Sequence, residues 1–207
     1  MKTLIAVPCM DQMPTLFADS LARLEKVGEC TQMINMGSLI YMSRDTLATK
    51  AISAEADFVL WLDSDMVFEP DTLKKLLAVL EARPEIDILT GLYFRRTKPY
   101  TPVIFDKLDI DEQDRCTYTE FKDIPEGLFE VGGCGFGCVL MRSEVLLDVQ
   151  SKYGQMFAPI GRTGEDLAFC WRARSCGCKI YCDPSIECGH VGYTVITRAV
   201  WEAVKEA

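Results

Sequence analysis

The chain has 207 residues, 49% of them hydrophobic and 26% charged, the make-up of one globular domain with enough apolar surface for a full core. Its 31 acidic residues against 22 basic ones give a formal charge of −9, which excludes the broad basic footprint of a general nucleic-acid binder and leaves only a local basic run at Arg95, Arg96 and Lys98. No stretch approaches the roughly 20 apolar residues that span a bilayer.

Residues 2–7 are apolar enough to pass for a short signal peptide. Pro8 interrupts the run, Asp11 follows closely, and a small-residue cleavage site is lacking. The segment therefore reads as a first core strand, and the protein as cytoplasmic. A helix over about 14–27 follows, with Leu16, Leu21 and Leu24 near helical spacing, then a strand over about 30–36. Ser43 or Asp45 is a suitable cap for a helix running to about 55. The strand 57–62 comes next. Pro70 marks another helix start, Leu73, Leu76, Leu77 and Leu80 give that helix its apolar face, and Pro84 ends it. Ile86–Phe94 reads as a buried strand. This alternation argues for an α/β fold, a Rossmann-like, mostly parallel sheet flanked by helices.

The pattern weakens over 106–126, an acidic and polar stretch that reads as a loop excursion. A glycine-rich approach, Val131 to Val139, then leads into an apolar strand. Helices over 143–151 and 165–176, strands near 178–182 and 186–191, and a short helix from about 197 complete the chain.

The 10 cysteines do not suit a disulfide framework in an intracellular protein. Cys170, Cys176, Cys178, Cys182, Cys188 and His190 suggest a zinc-stabilised binding module. Their spacing, however, is not the paired C-x-x-C of a zinc site, so buried apolar thiols are the better reading.

Three constellations could carry chemistry. In the first, the run Leu60-Trp61-Leu62 ends in Asp63-Ser64-Asp65. Residues i and i+2 of an extended strand point to one face about 6.6 Å apart, so the strand's end offers two carboxylates converging on one point for a hard divalent cation that could bridge to a diphosphate. The same residues could instead cap a turn. In the second, Gly164-Glu165-Asp166 opens a helix. Thr163 with Asp166 resembles a capping box, and one of the carboxylates could instead be a general base. The third is His190, the single histidine, between Gly189 and Gly192 and able to join carboxylates around a metal ion.

Taken in order, the strand ending Val7-Pro8, Ser43-Arg44-Asp45, Asp63-Ser64-Asp65, the run Val131–Val139, Gly164-Glu165-Asp166 and Cys188-Gly189-His190 resemble the GT-A fold glycosyltransferases, and among them the family 2-like enzymes. The resemblance covers nearly the whole chain, as one domain over 1–207. It implies a nucleotide-sugar-binding half over 1–94 and an acceptor-side half over 95–207. It implies an inverting, metal-dependent transfer of sugar from a nucleotide-sugar to an acceptor hydroxyl. Asp63 and Asp65 match the D-x-D motif that holds Mn²⁺ or Mg²⁺, with His190 as a further ligand. Pro8, Arg44 and Ser64 would line the donor site with them. Asp166 would be the base and Glu165 would help hold the acceptor, whether a saccharide, a lipid-linked sugar, a protein or a modified DNA base. Where relatives carry Arg-Asn this chain has Arg44-Asp45, a departure that bears on any nucleotide role for Asp45. A sugar-nucleotide pyrophosphorylase is the rival enzyme class. The chain after Val7 has neither the glycines nor the basic residues of that class's phosphate loop.

Overall fold

The computed structural model describes residues 1–192 and 195–205. In chain order the elements are β1 (Lys2–Cys9), α1 (Thr15–Arg23), β2 (Glu29–Met36), α2 (Ile40–Ser53), β3 (Phe58–Leu62), β4 (Met66–Val67), α3 (Thr72–Ala82) and β5 (Ile88–Leu92). There follow β6 (Ile104–Ile110), β7 (Cys116–Glu120), β8 (Phe129–Glu130), β9 (Gly133–Cys134), β10 (Cys138–Arg142), α4 (Glu144–Tyr153) and α5 (Glu165–Ser175). The last are β11 (Ile180–Glu187), β12 (Gly189–Val191), β13 (Val195–Ile196) and α6 (Arg198–Lys205).

A seven-stranded sheet in the order β2-β1-β3-β10-β5-β11-β8 forms the centre. β2, β1, β3, β5 and β11 run one way, while β10 and β8 oppose them. Strands covered on both faces should be continuously apolar, and β3 and β5 are buried along their whole length. Alternation still sorts their side chains. Leu4, Ala6, Val59 and Trp61 pack with α2, α4 and α5, whereas Ile5, Val7, Leu60 and Leu62 pack with α1 and α3. Trp61 lies between Phe136 and Phe157, with ring centres 6.0 and 5.1 Å away. Truncating such a core aromatic costs about 3–5 kcal/mol. All four leucines expected on the face of α3 are buried.

Several boundaries differ from the expectation. α2 begins at Ile40, so neither Ser43 nor Asp45 caps it. Asp45 instead accepts the backbone N–H groups of Met156 and Phe157 at 3.2 and 2.9 Å, and Ser43 accepts from Asn35 at 3.1 Å. α1 ends at Arg23, where the chain turns so that the Glu25 N–H meets the Pro70 carbonyl at 2.8 Å.

The expected excursion over 106–126 is largely a hairpin. β6 pairs β7 antiparallel, and β9 flanks β6 on its other edge. Acidic side chains hid its alternation: Leu108 and Ile110 are buried, while Lys107 and Asp109 face out. Asp111 closes the turn by accepting the N–H groups of Gln113 and Arg115, both at 2.9 Å.

A two-centred candidate active site

β3 stops at Leu62, and the Met66 N–H returns to the Asp63 carbonyl at 3.2 Å. Asp63-Ser64-Asp65 is therefore a turn, not a continued strand, and the expected shared face for its two carboxylates is corrected. The turn sends them to different partners at the carboxyl edge of the sheet, where open α/β folds bind ligands.

Asp63 belongs to the first centre. Arg44, from the first turns of α2, donates from Nη2 to Asp63 Oδ1 at 2.7 Å and from Nε to Glu165 Oε1 at 3.3 Å. Its guanidinium carbon lies 5.1 Å from the Phe136 ring centre and 5.8 Å from that of Trp61, within cation–π range. Only 1% of Arg44 is exposed, so it faces these carboxylates and rings and not an open donor pocket. Burial works against its charge. The charges of Asp63, Glu165 and Asp166 outweigh it and hold the guanidinium firmly protonated.

Asp166 stands beside this centre without sharing its hydrogen bonds. Gly164, and not Thr163, is the N-cap of α5, so the expected capping box does not form. Among the described residues the Thr163 hydroxyl, though buried, has no partner. Asp166 Oδ1 accepts its neighbour Leu167 N–H at 2.7 Å. Desolvation first, and then the adjacent Glu165 charge, lift the Asp166 pKa to about 6, against the opposing Leu167 hydrogen bond and Arg44 charge. A carboxyl titrating there is poised to take a proton near neutral pH.

Asp65 and His190 form the second centre. β12 pairs with β4, setting His190 opposite Met66. His190 Nδ1 lies 2.8 Å from the Phe94 carbonyl, and Nε2 lies 3.3 Å from Asp65 Oδ2. A carbonyl can only accept, so Nδ1 carries a proton. The neutral ring then presents its Nε2 lone pair to a carboxylate oxygen, an arrangement that needs a cation between them, either a proton or a metal. Burial opposes the imidazolium, but the hydrogen bond and charge of Asp65 outweigh it and raise the His190 pKa. Asp65 is also buried at some cost, yet His190 and Arg96 hold its carboxyl below the usual range. Arg96 Nη1 meets the same Oδ2 at 2.7 Å.

The expected ligand set of Asp63, Asp65 and His190 is thus placed as one pair and one carboxylate bonded elsewhere. Among the described residues no three His, Cys, Asp or Glu side chains converge on a metal position, and the ten cysteines are free. Pro8 is buried in β1 beside Asn35, and Ser64 is half-buried in the turn. Sequence reasoning missed Tyr93 and gave Arg96 only as part of a basic run. The Tyr93 hydroxyl accepts the Gly137 N–H at 3.2 Å, and its ring meets His190 edge-on at 5.8 Å. Burial, then the charges of Asp63 and Asp166, push the Tyr93 pKa well up. The glycines of 132–137 were the available signal for Tyr93. A Cβ at Gly135 would overlap the hydroxyl, and one at Gly137 would come within 2.8 Å of Cζ.

Many solved structures share this architecture. A197 from STIV superposes with a TM-score of 0.67 at 21% identity, over 93% of this chain and 86% of that one. GalNAc-T7, solved with UDP, GalNAc and Mn²⁺, gives 0.60 at 10% identity, over 92% of this chain and 43% of that one. These likenesses establish the GT-A fold. No protein of curated function matches the chain. No described helix is long and apolar enough to cross a membrane. The model of the family described as "Glycosyltransferase like family 2" matches residues 26–207. With that match over most of its length, the chain belongs to the glycosyltransferase family 2-like enzymes.

Proposed function

We propose that this glycosyltransferase moves a sugar from a nucleotide-sugar to an acceptor hydroxyl with inversion, at a donor site that requires a divalent cation. The observation that carries the reading is the Asp65–His190 pair, with Nδ1 fixed on the Phe94 carbonyl and Nε2 turned to Asp65 Oδ2. One carboxylate and one imidazole suit Mn²⁺ or Mg²⁺ sites that leave positions for phosphate oxygens and water. Asp65 and His190 would hold the cation, and Asp63 would lie beside it with its charge balanced by Arg44. When bound, the cation would offset the negative charge that develops on the departing diphosphate.

The residues around the pair have complementary tasks. A cleft of about 280 Å³ at the carboxyl end of β2, lined by Asn35, Met36, Ser38, Leu39 and Met42, is the place for the nucleoside. Pro8 and Ser64 lie along the same edge of the sheet. Arg96, more than half exposed, can exchange Asp65 for a phosphate oxygen. Asp166 accepts the proton of the acceptor hydroxyl, and Glu165, held by Arg44, helps to position that acceptor. Residues 1–94 form the donor half and 95–207 the acceptor half, with His190 and Glu165 reaching across. The protonated Nδ1, which leaves Nε2 facing Asp65, favours this reading over the zinc module, whose cysteines do not converge among the described residues.

A thermal-shift panel of UDP-, GDP-, TDP- and CDP-sugars, with and without Mn²⁺, tests the proposal. One donor at a hundredfold excess over its Kd should add about 2.7 kcal/mol in a Mn²⁺-dependent manner. A panel without any metal-dependent shift, or a shift unchanged in Asp65→Ala, would sink it.

A further inference from the structure

A second concave surface lies away from both centres, where the β6–β7 hairpin meets the C-terminal half of α5. It encloses about 610 Å³. The strand register sets Lys107 opposite Thr119 and Asp109 opposite Thr117, so these four side chains share one face of the ribbon. Trp171 forms the facing wall. Its Nε1 donates to Asp109 Oδ1 at 3.2 Å, and its ring centre lies 6.0 Å from that of Tyr153. Arg174 ties the helix to the hairpin by donating to the Leu108 carbonyl at 2.8 Å. The groove is therefore held in shape by bonds across it.

Its free groups are specific. Asp109 Oδ1 is also used by the Ile110 N–H at 2.9 Å, but among the described residues Oδ2 meets no donor and the Lys107 ammonium no acceptor. Arg174 is committed to main-chain carbonyls, and Asp106 and Asp109 balance Lys107, which disfavours a polyanion. A fixed indole beside threonine hydroxyls, a free carboxylate oxygen and a free ammonium matches a ring with an apolar face and a rim of hydroxyls.

We propose that this groove binds a saccharide chain, the portion of an oligosaccharide acceptor that lies beyond the transfer site. The inference rests on the glycosyltransferase reading of the Glu165–Asp166 end of α5. Trp171 stands five residues past Asp166, about 7.5 Å further along the helix axis and about 140° around it, so an oligosaccharide reaching both would wrap around α5.

The test is binding of the labelled, nucleotide-free protein to a glycan array that includes chitohexaose, maltohexaose and cellohexaose. The wild type is expected to bind one class of glycan, and Trp171→Ala and Lys107→Ala to bind it at least tenfold more weakly. Lys107 is exposed on the hairpin surface, so its variant keeps the test valid if Trp171→Ala does not fold. Binding to no glycan, or binding by a folded Trp171→Ala or by Lys107→Ala as tight as that of the wild type, would overturn the proposal. Asp65→Ala separates it from the donor-site reading. That variant should keep the glycan signal whatever the Mn²⁺–nucleotide panel shows, and loss of the signal there would also overturn the groove.

Discussion

Arg44 and Asp63, nineteen residues apart in sequence, form a 2.7 Å ion pair whose cation is buried to 98% of its side chain. The same guanidinium holds Glu165, so one side chain of α2 joins the end of β3 to the start of α5. Removing it would leave two partly buried acidic groups without a counter-ion and a void where the guanidinium packs on Phe136 and Trp61. Arg44→Ala is expected to lose about 3–5 kcal/mol of stability. Arg44→Lys should recover only part, because an ammonium cannot span both carboxylates as the planar fork does. Urea unfolding of the two variants measures this, and equal stability of both with the wild type would show that the pair carries no load.

Asp166 gives the pH dependence. Its folded pKa, about 6, stands above that of an unfolded aspartate near 3.9. The folded state then binds the proton more tightly. This group favours folding most at low pH, and that contribution is lost as pH rises from about 4 through about 6. Asp166→Asn should therefore be more stable than the wild type at about pH 8, by on the order of 2 kcal/mol, with the advantage vanishing below about pH 4. Activity should move the opposite way. kcat/KM of the wild type should rise to a plateau above about pH 6, and the Asn variant should fall by about 10²–10⁴-fold. Unfolding and initial rates measured over the same pH series check both halves.

These relationships show which parts of the molecule were legible beforehand. Continuous apolar runs located β1, β3 and β5, and helical spacing located the buried leucines of α3, because each signal lies within one element. The 106–126 stretch reads as a loop because its inward residues, Leu108 and Ile110, are separated by charged side chains belonging to an open face. Ser43 and Asp45 suggested caps by residue type, but their side chains serve Asn35 and the 156–157 backbone. The Arg44–Glu165 contact spans 121 positions, and the turn that separates Asp63 from Asp65 is set by the Met66 hydrogen bond. No local pattern encodes the first; the second is the turn that residue type already offered as the alternative to a shared face.

The glycine-rich run makes a packing prediction. Gly135→Ala would drive a methyl into the Tyr93 hydroxyl and close to Val103 Cγ1, costing about 1–3 kcal/mol. Tyr93→Phe removes the obstructing oxygen but also the acceptor of the Gly137 N–H. The double variant should be less destabilised than the sum of the singles, with a coupling of about 0.5–3 kcal/mol. Strict additivity in a urea double-mutant cycle would show that the two do not compete for space.

Arg96 occupies the same Asp65 oxygen that His190 faces. Without nucleotide its guanidinium competes with a metal cation for that oxygen. Arg96→Ala should therefore bind Mn²⁺ alone more tightly than the wild type, yet bind nucleoside diphosphate more weakly at saturating Mn²⁺. Calorimetric titrations of each component distinguish this exchange from a purely structural ion pair, which would leave both affinities unmoved.

The Asp65–His190 pair is the centre of the account, and Mn²⁺ binding followed by electron paramagnetic resonance tests it most directly. Titrations of wild type, Asp65→Ala and His190→Ala would be run with UDP, GDP, TDP or CDP present. The wild type should take up Mn²⁺ with one of these nucleotides. Both variants should bind it more weakly by at least the roughly 10–100-fold typical of losing a supporting contact. Equal Mn²⁺ affinity in all three proteins would contradict the assignment of the donor site to this pair.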